Sequence, residues 1–289
     1  MTKIAYTRSK KFRKETRLLL EKITKVVDDY EDRGYRLTLR QLYYQLVSHD
    51  IIPNQEKEYT RLSRIMTDAR MAGLIDWDMI EDRIRVPKKP NEFQNIADLV
   101  KAAIRSYRLD RWQNQENYVE VWVEKDALSG VLEPITRKYH VHLLVNRGYS
   151  SASAMHQSAL RIQENYDQRC VVLYLGDHDP SGVDMVRDIE DRLETFGCDI
   201  EIKKIALTME QIEQYQLPPN PAKMSDPRSD KYVKKHGNQS WELDALTPET
   251  LNELLVTNIE ELLDMDEYHA VIEREEEEKM KLVQLTEDF

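Results

Sequence analysis

Glycine is scarce in this chain, with 8 residues in 289, and that argues against long flexible linkers. No apolar run approaches the ~20 residues that span a bilayer, so no membrane helix is expected. The start, MTKIAYTRSKKFRK, is basic but lacks the apolar core of a secretory signal. Cysteine occurs only as Cys170 and Cys198. Each begins or precedes a run with the look of a buried strand. Two thiols in a chain with no export signal are expected as core filling, not as a disulfide. No internal repeat is visible. Together these absences point to a cytoplasmic globular protein.

Charge is abundant, and its distribution is uneven. The net charge is -11, which alone argues against a nucleic-acid partner. Residues 1–100, however, hold 20 Lys and Arg against 16 Asp and Glu. The first 17 residues carry seven basic groups and one acid. A basic front on an acidic back suggests that only the front meets a polyanion.

SKKFRKETRLLLEKITKVVDDYEDRGY has the period of one amphipathic helix closing at Gly34. Thr38 and Gln41, in TLRQ, make a capping box for a second helix. Asn54 is placed to cap a third, through EKEYTRLSRIMTDARMAGLI, and DWDMIEDRIRVPKKP resembles a short hairpin. Three helices followed by a wing form a winged-helix pattern. Its DNA-facing bases would be Arg61, Arg64 and Arg70 on the third helix, with Lys88 and Lys89 on the wing.

After a helical connector near 92–112 the period changes. Strands are expected at 118–124, 141–146, 170–177 and 199–207, with helices between them. PPNPAKMSDPRSDKYVKKHGNQS has the composition of a proline-rich loop, and the acidic region from Thr247 is helical. Alternating strand and helix predicts an α/β fold with a mainly parallel four-stranded sheet covered by helices.

In such sheets, sites form beyond the carboxyl ends of the strands. Glu124 ends the first strand, and Asp177 and Asp179 follow the third in CVVLYLGDHDPSGVDM. Side chains two apart in extended backbone face the same way, so the three carboxylates can converge. An all-oxygen set suits Mg²⁺ or Mn²⁺, and a divalent cation would relieve the repulsion between paired aspartates. The D-x-D also fits an EF-hand loop in part, an aspartyl-phosphate nucleophile, or a plain helix cap by Asp179 or Ser181.

A strand-end Glu followed by D-x-D-P-x-G resembles the Toprim fold of topoisomerases and primases. The D-P-x-G form, with WELDAL at 241–246, is most similar to the DNA topoisomerase VI A subunit and its relative, the meiotic double-strand-break protein. Within that superfamily it is nearest the compact, orphan A-like proteins. The resemblance implies a winged-helix domain over 1–105 and a Toprim domain over 106–289. It also implies Mg²⁺ on Glu124, Asp177 and Asp179, and a nucleophilic tyrosine four residues after an arginine. It further implies a homodimer on double-stranded DNA, in which the tyrosine of one subunit meets the metal site of the other. No ATPase segment is visible, so ATP-driven strand passage by this chain alone is not expected.

TLRQLYYQLV offers two tyrosines. Leu39, Leu42, Leu46 and Val47 share one helical face, and Tyr43 sits among them. Tyr44 is rotated off that face, one turn after Arg40. Tyr43 is therefore expected in the core, and Tyr44 as an exposed hydroxyl beside a guanidinium. A phenol titrates near ~10, so a cation is needed to favour its phenolate, and Arg40 can also hold a phosphate. The expected function is DNA cleavage by Mg-dependent tyrosine transesterification. The alternatives are a metallonuclease acting through water and a non-catalytic DNA-binding protein with a vestigial site, serving an unidentified partner protein.

Overall fold

Helix α1 (Lys14–Asp32) forms because Leu20, Ile23, Val27 and Tyr30 recur at helical spacing and all become buried. Gly34 ends it with φ +81. Tyr35 N donates to Tyr30 O and Gly34 N to Glu31 O, both 2.8 Å, the paired bonds of a Schellman stop. The computed structural model describes residues 11–76, 80, 90, 92–146, 152–165, 167–222 and 225–285.

Helix α2 (Leu39–Ser48) opens with the expected capping box, Thr38 and Gln41 each bonding the other's backbone N–H. The cap expected for α3 (Glu56–Met71) is a correction. Gln55 holds the cap position and makes no side-chain bond there. Asn54 is drawn away instead, accepting from the Tyr43 hydroxyl at 2.9 Å and donating to Pro219 O at 2.8 Å. Ile80 bridges to Leu37. The rest of the expected wing, including Lys88 and Lys89, lies outside the described residues.

Beyond α4 (Ile96–Ser106), strands β1 (Asn117–Val123), β2 (His142–Val145), β3 (Arg169–Leu175) and β4 (Glu201–Ala206) form one sheet in the order β2-β1-β3-β4. Every pairing is parallel. Helices α5 (Ser129–Tyr139), α6 (Ala152–Gln163) and α7 (Pro180–Thr195) make the crossovers. The period of two then sorts the side chains. Val119, Val121, Val123, Leu173 and Leu175 join an apolar cluster that also takes in α1, α2, α3 and α10 (Pro248–Glu260). Tyr118, Trp122, Val172 and Tyr174 face the other way, onto Met155, Ile162, Met185 and Leu193 of α6 and α7. Cys170 and Cys198 are buried free thiols on that second side.

The segment read as a proline-rich loop is also corrected. After α8 (Met209–Gln214), it carries a short antiparallel ladder, β5 (Asn220–Pro221) with β6 (Gln239–Ser240), and helix α9 (Ser229–His236). Tyr232 anchors α9: its hydroxyl lies 2.9 Å from both His178 O and His178 Nδ1. The last elements of the described residues are α10 and α11 (Met265–Leu285). Among the described residues, no helix is long and apolar enough to cross a membrane.

One polar group breaks the second sheet face. Glu120 is fully buried and accepts from Tyr118 Oη, Trp122 Nε1 and the Arg161 guanidinium at 2.8–3.1 Å. Removing the cation from such a pair strands a buried charge, at ~3–5 kcal/mol when both partners are buried. Arg161 is 31% exposed, so Arg161→Met should cost somewhat less, about 2–3 kcal/mol by chemical denaturation. Adding Glu120→Gln to that variant should restore part of the loss.

Candidate acidic site at the strand ends

The carboxyl ends of β1 and β3 deliver Glu124 and Asp177 side by side. Glu124 N donates to Leu175 O at 2.9 Å, extending the ladder. Its Oε2 then accepts from Asp177 N at 3.0 Å. Asp177 is buried; its Oδ1 accepts from Leu243 N at 2.7 Å and from Lys125 Nζ at 2.9 Å. Asp179 takes the N-cap position of α7, where its Oδ1 accepts from Gly182 N at 2.7 Å and Ser181 Oγ at 2.9 Å. Gly182 is obligatory for this turn: a Cβ there would stand 2.3 Å from the Asp177 carbonyl oxygen.

Two lysines that sequence reasoning missed organise the acids. Lys125 Nζ reaches Asp244 Oδ2 at 2.6 Å, Asp177 Oδ1 at 2.9 Å and Glu242 Oε2 at 3.0 Å. Burial works to lower its pKa, but the three carboxylates hold it well above the ordinary lysine value. Lys204 rises from β4 and donates to Asp177 O at 2.8 Å and Gly182 O at 3.3 Å. Burial lowers its pKa to about 8. Asp177 moves the other way, to about 7, because burial and the neighbouring Glu124 disfavour its charge more than Lys125 favours it.

The tyrosine helix meets this cluster within the same chain. Arg40 Nε donates to Glu242 Oε2 at 2.8 Å, and its Nη2 bonds Glu242 Oε1. The guanidinium also sits over the Tyr59 ring, 5.3 Å from its centre. Arg40 and Lys125 therefore share one carboxylate. Glu242 is held charged, since these two cations outweigh the opposing effect of burial.

Tyr43 is core, as expected, with its ring edge-on to Tyr44 and Tyr59. The exposed Tyr44 hydroxyl is overturned. Tyr44 is 2% exposed, and its Oη accepts from Asn220 Nδ2 at 2.8 Å. Periodicity marked only the face of α2 that meets α1 and α3. The 3-10 turn Leu243–Ala245 and Asn220 of β5 close a second face, which the spacing of apolar residues within α2 does not report. Burial and the Glu242 carboxylate push the phenol's pKa well above 10, against smaller opposing effects of Asn220, Arg40 and Lys125.

Arg61 and Arg64 are exposed on α3 and Arg70 is partly buried. Arg61 pairs with Glu58 at 3.0 Å. Among the described residues, no group of three His, Cys, Asp or Glu side chains stands ready to hold a metal ion. In kind the acids fit a hard divalent cation, being carboxylates only. Of the three expected ligands Lys125 meets only Asp177, and the neighbouring Asp244 Oδ1 is buried with no hydrogen-bond partner. No protein-family model matches the chain, and no curated protein matches it.

His178, between the two aspartates, is 5% exposed and packs on Tyr232, His236 and Trp241. Burial first, then Lys204 and His236, lowers its pKa from 6.5 to about 4. The unfolded chain therefore takes up a proton that the folded chain refuses. The contribution to stability is complete above pH 6.5 and is lost as pH falls toward 4, by up to roughly 3 kcal/mol. Wild type should lose more stability over that interval than His178→Phe, as read from denaturation at each pH.

Proposed function

We propose that the chain cleaves DNA by transesterification, with Tyr44 as nucleophile. The observation that carries this is the run of ion pairs Arg40–Glu242–Lys125–Asp177, which joins the tyrosine helix to the strand-end acids. Three helices and an acidic sheet thus meet at one place, in support of a winged helix working against a Toprim centre.

In this proposal a backbone phosphate lies between Arg40 and Tyr44. The Tyr44 Oη–P bond forms as the bond from phosphorus to one deoxyribose oxygen breaks. The phenol gives up its proton and the departing oxygen takes one, so the step needs no ATP and reversal reseals the strand. The planar fork of Arg40 suits two phosphate oxygens. Mg²⁺ or Mn²⁺ on Glu124, Asp177 and Asp179 would neutralise charge developing on the phosphate. Lys204 keeps the D-x-D backbone in position by holding Asp177 O and Gly182 O. Arg61, Arg64, Arg70, Lys88 and Lys89 contact the DNA backbone, and a homodimer supplies two nucleophiles related by the duplex dyad.

Because Tyr44 is buried and protonated, the Asn220 bond must open before it attacks. That same burial favours a second reading, a metallonuclease in which water attacks and Tyr44 is structural. End-labelled duplex incubated with Mg²⁺ and resolved on a denaturing gel separates them. Wild type should give protein-linked fragments, and Tyr44→Phe and Asp177→Ala should give none. Cleavage by Tyr44→Phe without an adduct would establish the hydrolytic reading instead.

The Arg40–Glu242 bond lies within one chain, which favours a site completed in one subunit over the shared site that the resemblance implies. Tyr44→Phe mixed with Asp177→Ala should then fail to regain cleavage, while light scattering still gives twice 34.2 kDa. Recovery of cleavage in the mixture would place the tyrosine and the acids on different subunits.

A further inference from the structure

Glu242 is engaged in an unusual way for a surface-accessible acid. Both its oxygens face the Arg40 fork side-on, and Oε2 also accepts from Lys125 at 3.0 Å. Three charge-assisted N–H bonds from two different cations are what the non-bridging oxygens of a phosphodiester would accept. We propose that Arg40 and Lys125 form a binding site for a DNA backbone phosphate, and that the Glu242 carboxylate occupies it as an internal substitute until DNA displaces it.

Three observations make the exchange feasible. The site opens to solvent: the side chains of Arg40, Glu242 and Lys125 are 40%, 22% and 22% exposed. The cations stay in place without Glu242, because Tyr59 lies under Arg40 and Asp177 and Asp244 still hold Lys125. Glu242 stands just before the 3-10 turn Leu243–Ala245, and its backbone position is fixed by that turn, not by its side chain. The carboxylate can therefore swing out while the turn stays folded. Asp177 and Asp244 oppose an incoming anion, so Glu242 and phosphate compete on similar terms.

The inference takes its ligand from the DNA proposal but does not require cleavage. Its test is anisotropy of a labelled 30-base-pair duplex in EDTA across a salt series. Glu242→Gln should bind about 5–10-fold more tightly than wild type across the series, because the phosphate no longer has to displace a carboxylate. Adding Arg40→Gln should abolish that gain, and Glu273→Gln, an exposed acid on α11, should not produce it. Equal affinity of Glu242→Gln and wild type, or a gain that survives loss of Arg40, would overturn the proposal. If Glu242→Gln folds poorly by circular dichroism, Glu242→Asp decides: it keeps the charge but withdraws it by one methylene, and tighter binding supports the site while unchanged binding rejects it. Tighter binding here, together with no covalent adduct when wild type is incubated with Mg²⁺, upholds this site and rejects transesterification. An adduct in wild type with no gain in Glu242→Gln rejects this site alone.

Discussion

The Lys125 ammonium is the contact on which the site depends. It stands within 3.0 Å of Asp177, Glu242 and Asp244, carboxylates from two distant stretches of chain. Without a cation among them, such acids at low exposure would repel and take up protons. With it, the turn at Leu243–Ala245 is drawn onto the end of β3, and Leu243 N closes on Asp177 Oδ1 at 2.7 Å. That turn is also what seals Tyr44 from the second side. One ammonium therefore fixes the acid geometry and holds Glu242 where it meets Arg40.

The sheet makes this possible because parallel strands end together. β1 and β3 are neighbours in register, with Val123 opposite Leu175, so the residues that follow emerge at the same level. Chain reversal above β3 requires Gly182, whose missing Cβ lets the helix start within contact of the Asp177 carbonyl. Lys204 is placed opposite Tyr174 on β4 and reaches up to that same carbonyl. The loop is tied from below by an amine and from the side by the α7 cap, so its carboxylates have little freedom to move apart.

The strands and crossover helices were legible because their signals are local. Apolar runs mark β1 and β3, the Thr38–Gln41 box marks a helix start, and Gly34 marks a stop. Glu124, Asp177 and Asp179 were legible for the same reason, as strand-end acids. What escaped reading depends on contacts between remote segments. Asn54 has the right chemistry for a cap, but Tyr43 and Pro219 compete for its amide. Tyr44 lies off the main apolar face of α2, and it is covered by remote segments, one carrying Asn220 some 176 residues later and the other the Leu243–Ala245 turn. Lys125 is adjacent to Glu124, yet its partners at 242 and 244 are defined by folding. One clue was available: a lysine at Lys204 in the middle of EIKKIAL is out of place in a buried strand unless something polar lies above it.

These contacts leave the centre electrically closed. Arg40 and Lys125 are paired with acids, and Tyr44 is capped by Asn220 and held as a neutral phenol by burial and Glu242. A phenol kept at high pKa is a poor nucleophile, so the cleavage proposed for Tyr44 would be held off until DNA is bound. The obstacles share one residue. Glu242 neutralises the arginine, shares the lysine and raises the tyrosine's pKa. An anion that displaced this carboxylate from Arg40 and Lys125 would bring phosphorus to the guanidinium. The phosphate brings a negative charge of its own to the same place, so the exchange by itself does not favour the phenolate. What it changes is position: the attacked phosphorus comes to lie one helical turn from Tyr44, whose hydroxyl must still leave Asn220.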